Sequence, residues 1–575
     1  MYILGIFNGH DSSAVLLKDG EVIAAAQEER FNRIKHYAGL PVRAVEFCLK
    51  KGKINPSDIS YVAIPRLRNA PDIETLFGNP KSGFLETDES TGKGFKDYYR
   101  KLFVRTASVL SVGNQFGLPL YTKIYPLGKE AKIVQLDHHL SHAASAFYSS
   151  GFDRSLVVTA DGAGDALSTT VWLGENNTLK PLLKIARNGS LGFFFNVVTE
   201  ALGWQVSEGE GKTMGLAPYG STAKTRGVLD FCLPIFENGR LKKPHNFGFP
   251  KLWIDSGVYH WHFNESADVK KLIDKYGREN IAAEAQRCLE EQIINLIKPY
   301  LKKLGVKKLA CAGGVFLNVK MNQFIWESCD LEDFFVYPDA GDAGVPVGAA
   351  LFTYYNQANV SHKTPKQIKS VYYGSGYSDK EIEHYLKLQK IKYEKVNRKT
   401  LINRTAGLLA KGKIISWFQG DMEIGPRALG NRSILMDPRY AENKDIINKQ
   451  VKFREGFRPF TPSMTKEAAQ RFIKNPRSAP FMIISFDANP AEVDKIPAVV
   501  HVDGTLRPQV LEREANPLYF DLIEEFGHIT GVPVLLNTSF NIKGEPVVES
   551  PRDAIKCFYD TGLDYLVMGS FIISK

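Results

Sequence analysis

The chain opens with M-Y-I-L-G-I-F-N-G-H-D-S-S-A-V-L-L-K-D-G-E-V-I-A-A-A, residues 1–26, and this strand-and-turn pattern indicates the fold class. A polar turn at residues 8–13 separates two apolar runs, and a K-D-G turn leads into a third. Short apolar runs bounded by Gly, Asn and Asp predict β-strands joined by tight turns. The same order returns from Ser155, as S-L-V-V-T-A, D-G-A-G-D and S-T-T-V-W-L. Two such units predict two similar α/β subdomains that face each other across a cleft.

The length and composition predict a two-domain globular protein. At 575 residues the chain is too long for one hydrophobic core. Residues 356–367 are polar and without periodicity, so we expect one domain over residues 1–360 and another over residues 368–575. No stretch approaches the ~20 apolar residues that cross a bilayer, and the N-terminus does not resemble a signal peptide. The six cysteines are scattered, as in a reduced cytoplasmic protein.

The charge balance favours anionic ligands without naming one. The net charge is +10, from 73 Lys and Arg against 63 Asp and Glu. Nucleotides, nucleic acids and membrane surfaces are all anionic. The basic residues form no long uninterrupted block, so a nucleic-acid-binding tail is not expected.

A histidine-rich segment, L-D-H-H-L-S-H-A-A-S-A-F at residues 136–147, is a candidate metal site. On a helix, His138 and His142 lie one turn apart on one face, where both can bind one metal ion. Asp161, in T-A-D-G-A-G, and Asp342, in P-D-A-G-D-A-G, could add carboxylates. Such a mixed nitrogen and oxygen set suits Fe(II), Mn(II) or Zn(II). From the residues alone, a structural histidine pair and ordinary turn aspartates remain the alternative.

Glycine-rich loops in the first domain point to nucleotide binding. They are G-E-G-K-T-M-G-L-A-P-Y-G at residues 209–220, C-A-G-G-V-F-L-N-V-K-M-N at 311–322 and D-A-G-D-A-G-V-P-V-G-A-A at 339–350. Gly313 and Gly314 follow a predicted strand and precede a predicted helix, so backbone N–H groups there could bind an anion or a nucleoside. Each loop alone could be only a turn; together they favour a nucleotide.

The second domain holds a basic cluster set among Gly, Pro and aromatic residues. Residues 420–433 and 451–462 contribute Arg427, Arg432, Lys452, Arg454 and Arg458, and residues 501–509 and 536–546 add Arg507, Ser539 and Asn541. Gly and Pro at this density predict shaped loops, and arginine forks suit phosphate or carboxylate ligands. No Ser-His-Asp or Cys-His pairing is evident, so covalent acyl-enzyme chemistry is not favoured.

Seven motifs occur along nearly the whole chain. They are N-G-H-D-S-S at Asn8, Q-E-E-R-F at Gln27, H-H-L-S-H-A at His138, G-K-T-M-G-L-A-P-Y-G at Gly211, G-G-V-F-L-N at Gly313, G-P-R-A-L-G-N-R-S at Gly425 and N-T-S-F-N at Asn537. Their set and order resemble the carbamoyltransferase family of NodU and CmcH, whose members carbamoylate nodulation factors, cephems and aminoglycosides.

The resemblance implies a fold and an activity. The first domain would have an actin-like ATPase fold, ribonuclease H-like and duplicated, similar to the TsaD-type protein. The second would be an α/β YrdC-like domain. Carbamoyl phosphate and ATP, with Mg²⁺, would form carbamoyl adenylate in the second domain. The first domain would then transfer the carbamoyl group to a hydroxyl of a sugar, antibiotic or other secondary metabolite.

The resemblance also implies roles for individual residues. His10 would be the general base for the acceptor hydroxyl, and Lys452, Arg454 and Arg507 would stabilise adenylate formation. Fe²⁺, with Mn²⁺ or Zn²⁺ as alternatives, would sit on His138, His142, Asp161 and Asp342. Ligand contacts would come from Lys212, Gly313, Gly314, Asn318, Asn322, Arg427, Arg432, Ser539 and Asn541. Neither nucleic acid nor membrane is an expected partner, and a homodimer stays open.

Three other activities share some of these features. A threonylcarbamoyl enzyme acting on tRNA shares the chemistry, but G-P-R-A-L-G-N-R-S and the domain order favour O-carbamoyl transfer. An actin-fold sugar kinase needs neither the His-x-x-x-His pair nor the second domain. A scaffold that binds ATP without turnover would not need the full set of catalytic candidates. An insertion at about residues 71–118 is a candidate contributor to acceptor specificity.

Overall fold

The computed structural model describes residues 1–66, 131–247, 250–358 and 365–575. The insertion at residues 71–118 and part of the expected boundary at residues 356–367 lie outside these ranges. The strands before that boundary are β1 (Tyr2–Phe7), β2 (Ser13–Lys18), β3 (Glu21–Gln27), β4 (Ile59–Ile64), β5 (Lys132–Gln135), β6 (Arg154–Gly164), β7 (Leu167–Glu175), β8 (Thr178–Ala186), β9 (Ile235–Glu237), β10 (Arg240–Lys243), β11 (Lys251–Asp255), β12 (Val258–His262), β13 (Lys308–Ala312) and β14 (Asp333–Val336). The helices there are α1 (Glu29–Asn32), α2 (Val42–Gly52), α3 (His138–Ser150), α4 (Leu191–Ala201), α5 (Glu210–Leu216), α6 (Ser266–Tyr276), α7 (Arg278–Leu304), α8 (Val319–Ser328) and α9 (Val345–Phe352).

Two five-stranded sheets with the same topology form the first part of the chain. One has the order β3-β2-β1-β4-β5, and the other, read from its far edge, has the order β8-β7-β6-β13-β14. In each sheet the first three strands are antiparallel, and the last two run parallel to the central strand. This repeat confirms the two similar subdomains that the strand-and-turn pattern predicted. It also confirms the duplicated, ribonuclease H-like, actin-like fold that the family resemblance implied.

Helices α3 and α9 lie between the two sheets and pack against each other. Helix α9 lies against the first sheet, where a Cβ on Gly5 of β1 would come within 2.3 Å of the carbonyl oxygen of Pro346. Helix α3 lies against β6 and β13 of the second sheet. The candidate metal ligands therefore sit on or beside helices at the centre of the fold.

The contact between α3 and α9 depends on Gly348. A Cβ at this position would lie 1.8 Å from the carbonyl oxygen of Ser141 and 2.7 Å from the backbone nitrogen of Ser145. Because backbone cannot yield as a side chain can, we expect Gly348→Ala to lower the free energy of unfolding by about 1–3 kcal/mol. Urea titration measures the change. Gly407→Ala, in helix α11 (Arg398–Ala410) with nothing within 4 Å of the new methyl, is the control; equal stability of the two variants would contradict the packing.

The second part of the chain is built on one mixed sheet. Its strands are β15 (Glu394–Lys395), β16 (Ile415–Phe418), β17 (Arg432–Met436), β18 (Thr461–Thr465), β19 (Phe486–Asp487), β20 (Thr505–Leu506), β21 (Gln509–Leu511), β22 (Val534–Ser539), β23 (Tyr565–Met568) and β24 (Phe571–Ser574). Its other helices are α10 (Asp379–Leu388), α12 (Glu442–Ile447), α13 (Lys466–Phe472), α14 (Pro517–Thr530) and α15 (Pro551–Tyr559). Eight of these ten strands form the mixed sheet, in the order β15-β24-β23-β16-β17-β22-β18-β21. Together with the helices, this sheet confirms α/β structure in the second part of the chain.

Polar contacts join the two parts of the chain. Arg33 donates to the carbonyls of Pro546 and Val547 at 2.7 Å each, and Arg30 donates to the carbonyl of Gly425 at 3.3 Å. The loops that carry the second part's basic residues are thereby fixed against the first part. Among the residues that the structure describes, no helix is both long and apolar enough to cross a membrane.

Candidate active site

Helix α3 places the two histidines. The side chain of Asp137 caps the helix by accepting a hydrogen bond from the backbone N–H of Leu140 at 2.8 Å. The backbone N–H of His138 donates to Asp165 at 2.9 Å. With the first turn fixed in this way, the Nε2 atoms of His138 and His142 lie 3.1 Å apart. The helical spacing therefore has the geometry that the sequence predicted.

Two carboxylates from separate elements face this pair. Asp161 lies near the end of β6, and Asp342 begins the short turn that leads into α9. Asp342 Oδ1 is 3.4 Å from both Nε2 atoms, and Asp161 Oδ2 is 3.5 Å from His138 and 3.6 Å from His142. One ligand atom from each of the four side chains lies within 4.8 Å of the others. Folding thus brings together four residues that span about 200 positions of sequence.

The charges within this cluster shift the pKa values of its own side chains. Burial opposes ionisation of His138, but Asp342 and Asp161 together raise its pKa well above the ordinary histidine value. Burial likewise opposes ionisation of Asp161, yet the two histidines hold its pKa well below the ordinary aspartate value. Two imidazoles and two carboxylates that converge while buried need either protons or a cation between them. A donor set of two nitrogens and two oxygens fits a divalent transition metal ion.

The glycine pair Gly313-Gly314 lies beside the cluster, where neighbouring atoms come too close for a larger residue. Gly313 has φ +102°, and a Cβ there would lie 2.2 Å from the carbonyl oxygen of Ala160. The backbone N–H of Gly314 donates to Asp161 Oδ1 at 3.3 Å. These glycines thus support a candidate metal ligand, in the strand-to-helix turn that the sequence predicted.

A polar group that the sequence did not single out lies beside His10. Asp11 Oδ1 is 2.7 Å from Nδ1 of His36, and the backbone N–H of His36 donates to Glu29 at 2.7 Å. Burial works against the ion pair, but Asp11 raises the pKa of His36 to about 9. Nδ1 of His10 is buried and has no hydrogen-bond partner among the described residues. The motifs N-G-H-D-S-S and Q-E-E-R-F contain these residues, but spacing alone did not reveal their contact.

Asp339 is a further buried carboxylate in this region. It is 5% exposed, and burial, followed by the charge of Asp11, raises its pKa to about 7. The charges of Arg30 and His142 act in the opposite direction. The sequence placed this residue in a glycine-rich loop without assigning it a role.

In the second part of the chain, Lys452 is held by two predicted ligand residues. Its Nζ donates to the backbone carbonyl and the hydroxyl of Ser539, and to the carbonyl and side-chain oxygen of Asn541 at 2.9 and 2.8 Å. Burial lowers its pKa well below the ordinary lysine value, and the charge of Arg454 lowers it further. The structure thus brings together Lys452, Ser539 and Asn541.

Three arginines of this region have hydrogen-bond partners for only some of their guanidinium nitrogens. Arg507 donates to the hydroxyl of Thr461 at 2.8 Å, Arg454 to the side chain of Asn448 at 2.8 Å, and Arg427 to the carbonyl of Leu317 at 3.4 Å. Each keeps one buried guanidinium nitrogen that has no partner within the described ranges.

The arginines also repel one another. Burial lowers the pKa of Arg507 well below the ordinary value, and the charges of Arg427, Arg454 and Arg458 lower it further. Burial and Arg458 lower the pKa of Arg427 to about 10. Like charges packed together and partly shielded from water favour an anionic ligand that offsets them.

Lys212 brings the first part of the chain to this cluster. Its Nζ lies 3.8 Å from Glu455, and burial together with the charge of Arg458 lowers its pKa. Glu455 in turn lies 4.0 Å from Arg458. We call Lys212, Arg427, Lys452, Arg454, Arg458 and Arg507 the cationic cluster. It forms where the two parts of the chain meet.

Three predicted ligand residues are instead engaged within the protein. Arg432 is fully buried, donates to the carbonyls of Gln419, Gly420, Asn431 and Ser375, and stacks on a phenylalanine ring. Asn318 caps α8 and exchanges hydrogen bonds with Gln286. Asn322 donates to the carbonyls of Phe316 and Ile483. Most of their donors therefore hold loops or join the two parts of the chain, while Nε of Arg432 is buried with no partner among the described residues.

Comparisons with known proteins agree with the two-part organisation. Residues 2–351 match the model of the carbamoyltransferase N-terminus, and residues 406–575 match that of the carbamoyltransferase C-terminus. The nodulation protein NolNO of Sinorhizobium fredii is 37% identical over 98% of this chain and 79% of its own length. The nodulation protein NolO of Bradyrhizobium diazoefficiens is 36% identical over 76% of this chain and 79% of its own length. Among solved structures, component A of the Acidaminococcus fermentans (R)-2-hydroxyglutaryl-CoA dehydratase aligns over 62% of this chain and 100% of its own, at 16% identity and a TM-score of 0.35, too distant to bear on the site.

The two family models together span most of the chain, in the order of its two structural parts. The chain is a transferase that belongs to the carbamoyltransferase family.

Proposed function

We propose that the protein is an ATP-dependent O-carbamoyltransferase that activates the carbamoyl group at the cationic cluster and transfers it at the four-residue cluster of α3, β6 and α9. The observation that carries the proposal is the excess of cations where the two parts of the chain meet. Arg427, Arg454 and Arg507 each keep a buried nitrogen without a partner in the described structure. Such a site is costly unless a polyanion fills it.

The first reaction would bring two anions together. Water would hydrolyse carbamoyl phosphate to carbamate and phosphate, and a carbamate oxygen would attack the α-phosphate of ATP, so that carbamoyl adenylate forms and pyrophosphate leaves. Arg507 and Arg454, held on one side by Thr461 and Asn448, would offer their remaining N–H groups to the phosphates. Positive charge fixed in advance, in a site with little water, offsets the repulsion between the reactants and stabilises the transition state.

Lys452 would have a different task in this reaction. Its ammonium is surrounded by oxygens of Ser539 and Asn541, so it fixes the loop that follows β22. We expect it to position Ser539 and Asn541 and to contribute charge. Lys212 would contact the same ligands from the first part of the chain. Nucleotide binding would therefore involve both parts.

The second reaction would take place at His138, His142, Asp161 and Asp342. These four residues would hold Fe²⁺, with Mn²⁺ and Zn²⁺ as alternatives, and the bound cation would offset the charge of the adenylate phosphate and polarise the reacting carbonyl. Asp161 is kept in place by the backbone N–H of Gly314. The helix cap at Asp137 keeps the two imidazoles aligned, so the chain supplies a site that needs little rearrangement.

His10 would remove the proton of the acceptor hydroxyl, whose oxygen would attack the carbamoyl carbon as AMP leaves. Its buried Nδ1 has no partner within the described chain, and an unpaired imidazole nitrogen can accept a proton. The neighbouring Asp11 is already paired with His36, which leaves it oriented but not free to act as the base. The acceptor would carry a hydroxyl on a sugar, an antibiotic or another secondary metabolite, and the protein would act in the cytoplasm.

A product assay tests the proposal. The full chain is incubated with ATP, Mg²⁺ and carbamoyl phosphate, and the nucleotides are separated by chromatography. We expect pyrophosphate that depends on carbamoyl phosphate, and AMP when the carbamoyl group is transferred; mass spectrometry with a panel of hydroxylated sugars and antibiotics then finds the acceptor. ADP formed from ATP and a sugar without carbamoyl phosphate would instead mark a sugar kinase. AMP release that requires tRNA would point to threonylcarbamoyl chemistry.

A further inference from the structure

An aromatic corner lies at the edge of the cationic cluster. Tyr219, at the end of the G-K-T-M-G-L-A-P-Y-G loop, is 42% exposed. Its ring meets His501 edge-on at 5.8 Å between centroids, and Phe457 at 6.4 Å. Phe457 precedes Arg458, and Trp204 supports it at 6.0 Å. A large, partly open ring is thus held beside groups that would bind phosphate.

His501 is unusual within this corner because one ring nitrogen is engaged and the other is not. The residue is only 8% exposed. Its Nδ1 lies 3.3 Å from Asp503 Oδ1, while Nε2 is buried and has no partner in the part of the chain that the structure describes. Packing therefore fixes a buried polar atom that the protein itself leaves unsatisfied.

Asp503 determines which ring nitrogen of a neutral His501 carries the proton. Its carboxylate accepts hydrogen bonds from the backbone N–H and hydroxyl of Thr505, at 3.1 and 2.6 Å, and pairs with Lys320 at 3.0 Å. Burial opposes ionisation, yet the hydrogen bond from His501 and the charge of Lys320 lower the pKa of Asp503. An ionised carboxylate only accepts hydrogen bonds, so the proton of a neutral His501 stays on Nδ1. Nε2 is then an acceptor.

We infer that this corner is the adenine subsite of the nucleotide site, with Tyr219 packed on the base and His501 Nε2 accepting a hydrogen bond from the exocyclic 6-amino group. The inference rests on the proposed function, because it places the base of the ATP whose phosphates occupy the cationic cluster. The ring supplies a π-face for any base. The acceptor selects a base with a donor at position 6 and rejects one with a carbonyl there.

The test compares ATP with inosine triphosphate, which carries a carbonyl oxygen in place of the 6-amino group. Calorimetric titration of the full-length wild-type protein should show about tenfold or greater preference for ATP, as expected when a site built to accept a hydrogen bond loses its donor. Equal affinity for the two nucleotides would overturn the subsite. This comparison needs no variant and no turnover, so it decides the inference even if pyrophosphate release with carbamoyl phosphate is absent and the proposed function fails.

Variants then assign the two residues. Tyr219→Ala and His501→Asn should each raise KM for ATP by about tenfold with kcat little changed, the loss expected when one good contact is removed. His501→Asn can keep a donor to Asp503, but its shorter side chain leaves no acceptor at the position of Nε2, so it should also abolish the preference over inosine triphosphate. Tyr219→Phe keeps the aromatic ring and should therefore recover the affinity that Tyr219→Ala loses. Tyr559→Ala, an equally open tyrosine at 46% exposure on α15, is the control. Lower thermal stability with unchanged KM and preference would show that the corner only packs the two parts of the chain together, and would refute the subsite.

Discussion

Replacing Arg507 with alanine should lower carbamoyl-phosphate-dependent pyrophosphate release by about 10³-fold, the size of effect seen when an arginine that stabilises phosphoryl transfer is lost. Thr461 holds one side of this guanidinium, and the buried Nε has no partner among the described residues. Arg427, Arg454 and Arg458 surround it with like charge. The protein therefore keeps a cation at Arg507 whose charge is offset only when an anion is bound.

The same structure predicts that the variant folds. Removing one of several mutually repelling, buried cations should leave the free energy of unfolding unchanged or raise it, since the lost hydrogen bond to Thr461 is offset by relief of repulsion. Arg507→Lys should restore only part of the activity, because an ammonium lacks the planar fork. Arg513→Ala, on the surface a few residues further on, should have no effect. Unchanged pyrophosphate release in Arg507→Ala would remove Arg507 from the site.

Replacing His138 with alanine should abolish acceptor carbamoylation, by at least about 10²-fold, while pyrophosphate release persists. Losing a metal ligand costs more than the 10–100-fold that follows from removing an outer partner of one. His138 contacts His142, Asp161 and Asp342, so its loss opens the four-residue cluster. The cationic cluster shares none of these contacts, so adenylate formation should continue.

Two measurements distinguish loss of the metal site from a general loss of folded protein. Metal analysis of the purified variant should show loss of bound Fe²⁺, Mn²⁺ or Zn²⁺ relative to wild type. His528→Ala, on the exposed side of α14, should keep both metal and activity. Equal loss of pyrophosphate release and of acceptor carbamoylation in His138→Ala would contradict the division of labour between the two sites.

Much of the fold could be predicted because local pattern and topology agree. The first strands begin and end where the turns at residues 8–13 and 18–20 predicted, and Asp19 and Gly20 have the positive φ angles that such a turn needs. The repeat of the strand-and-turn pattern at Ser155 correctly indicated a second sheet of the same topology. Helical spacing alone was enough to place His138 and His142 together.

The remaining contacts depended on long-range folding. The contact between Asp11 and His36 joins two loops, and nothing in either loop indicates the other. Motifs also do not reveal which way a side chain faces. Arg432 and Arg427 stand five positions apart, yet Arg432 donates to four carbonyls whereas Arg427 donates to one. Both keep a buried Nε with no partner among the described residues. Asn318 and Asn322 likewise make hydrogen bonds within the protein.

Detection of the activated intermediate tests the two-site account most directly. His138→Ala is mixed with ATP, Mg²⁺ and carbamoyl phosphate without acceptor, quenched rapidly and analysed by mass spectrometry. The account predicts that carbamoyl adenylate accumulates with an equal amount of pyrophosphate, and that Arg507→Ala forms neither. Formation of ADP, or a quenched His138→Ala reaction that contains no carbamoyl adenylate, would contradict it.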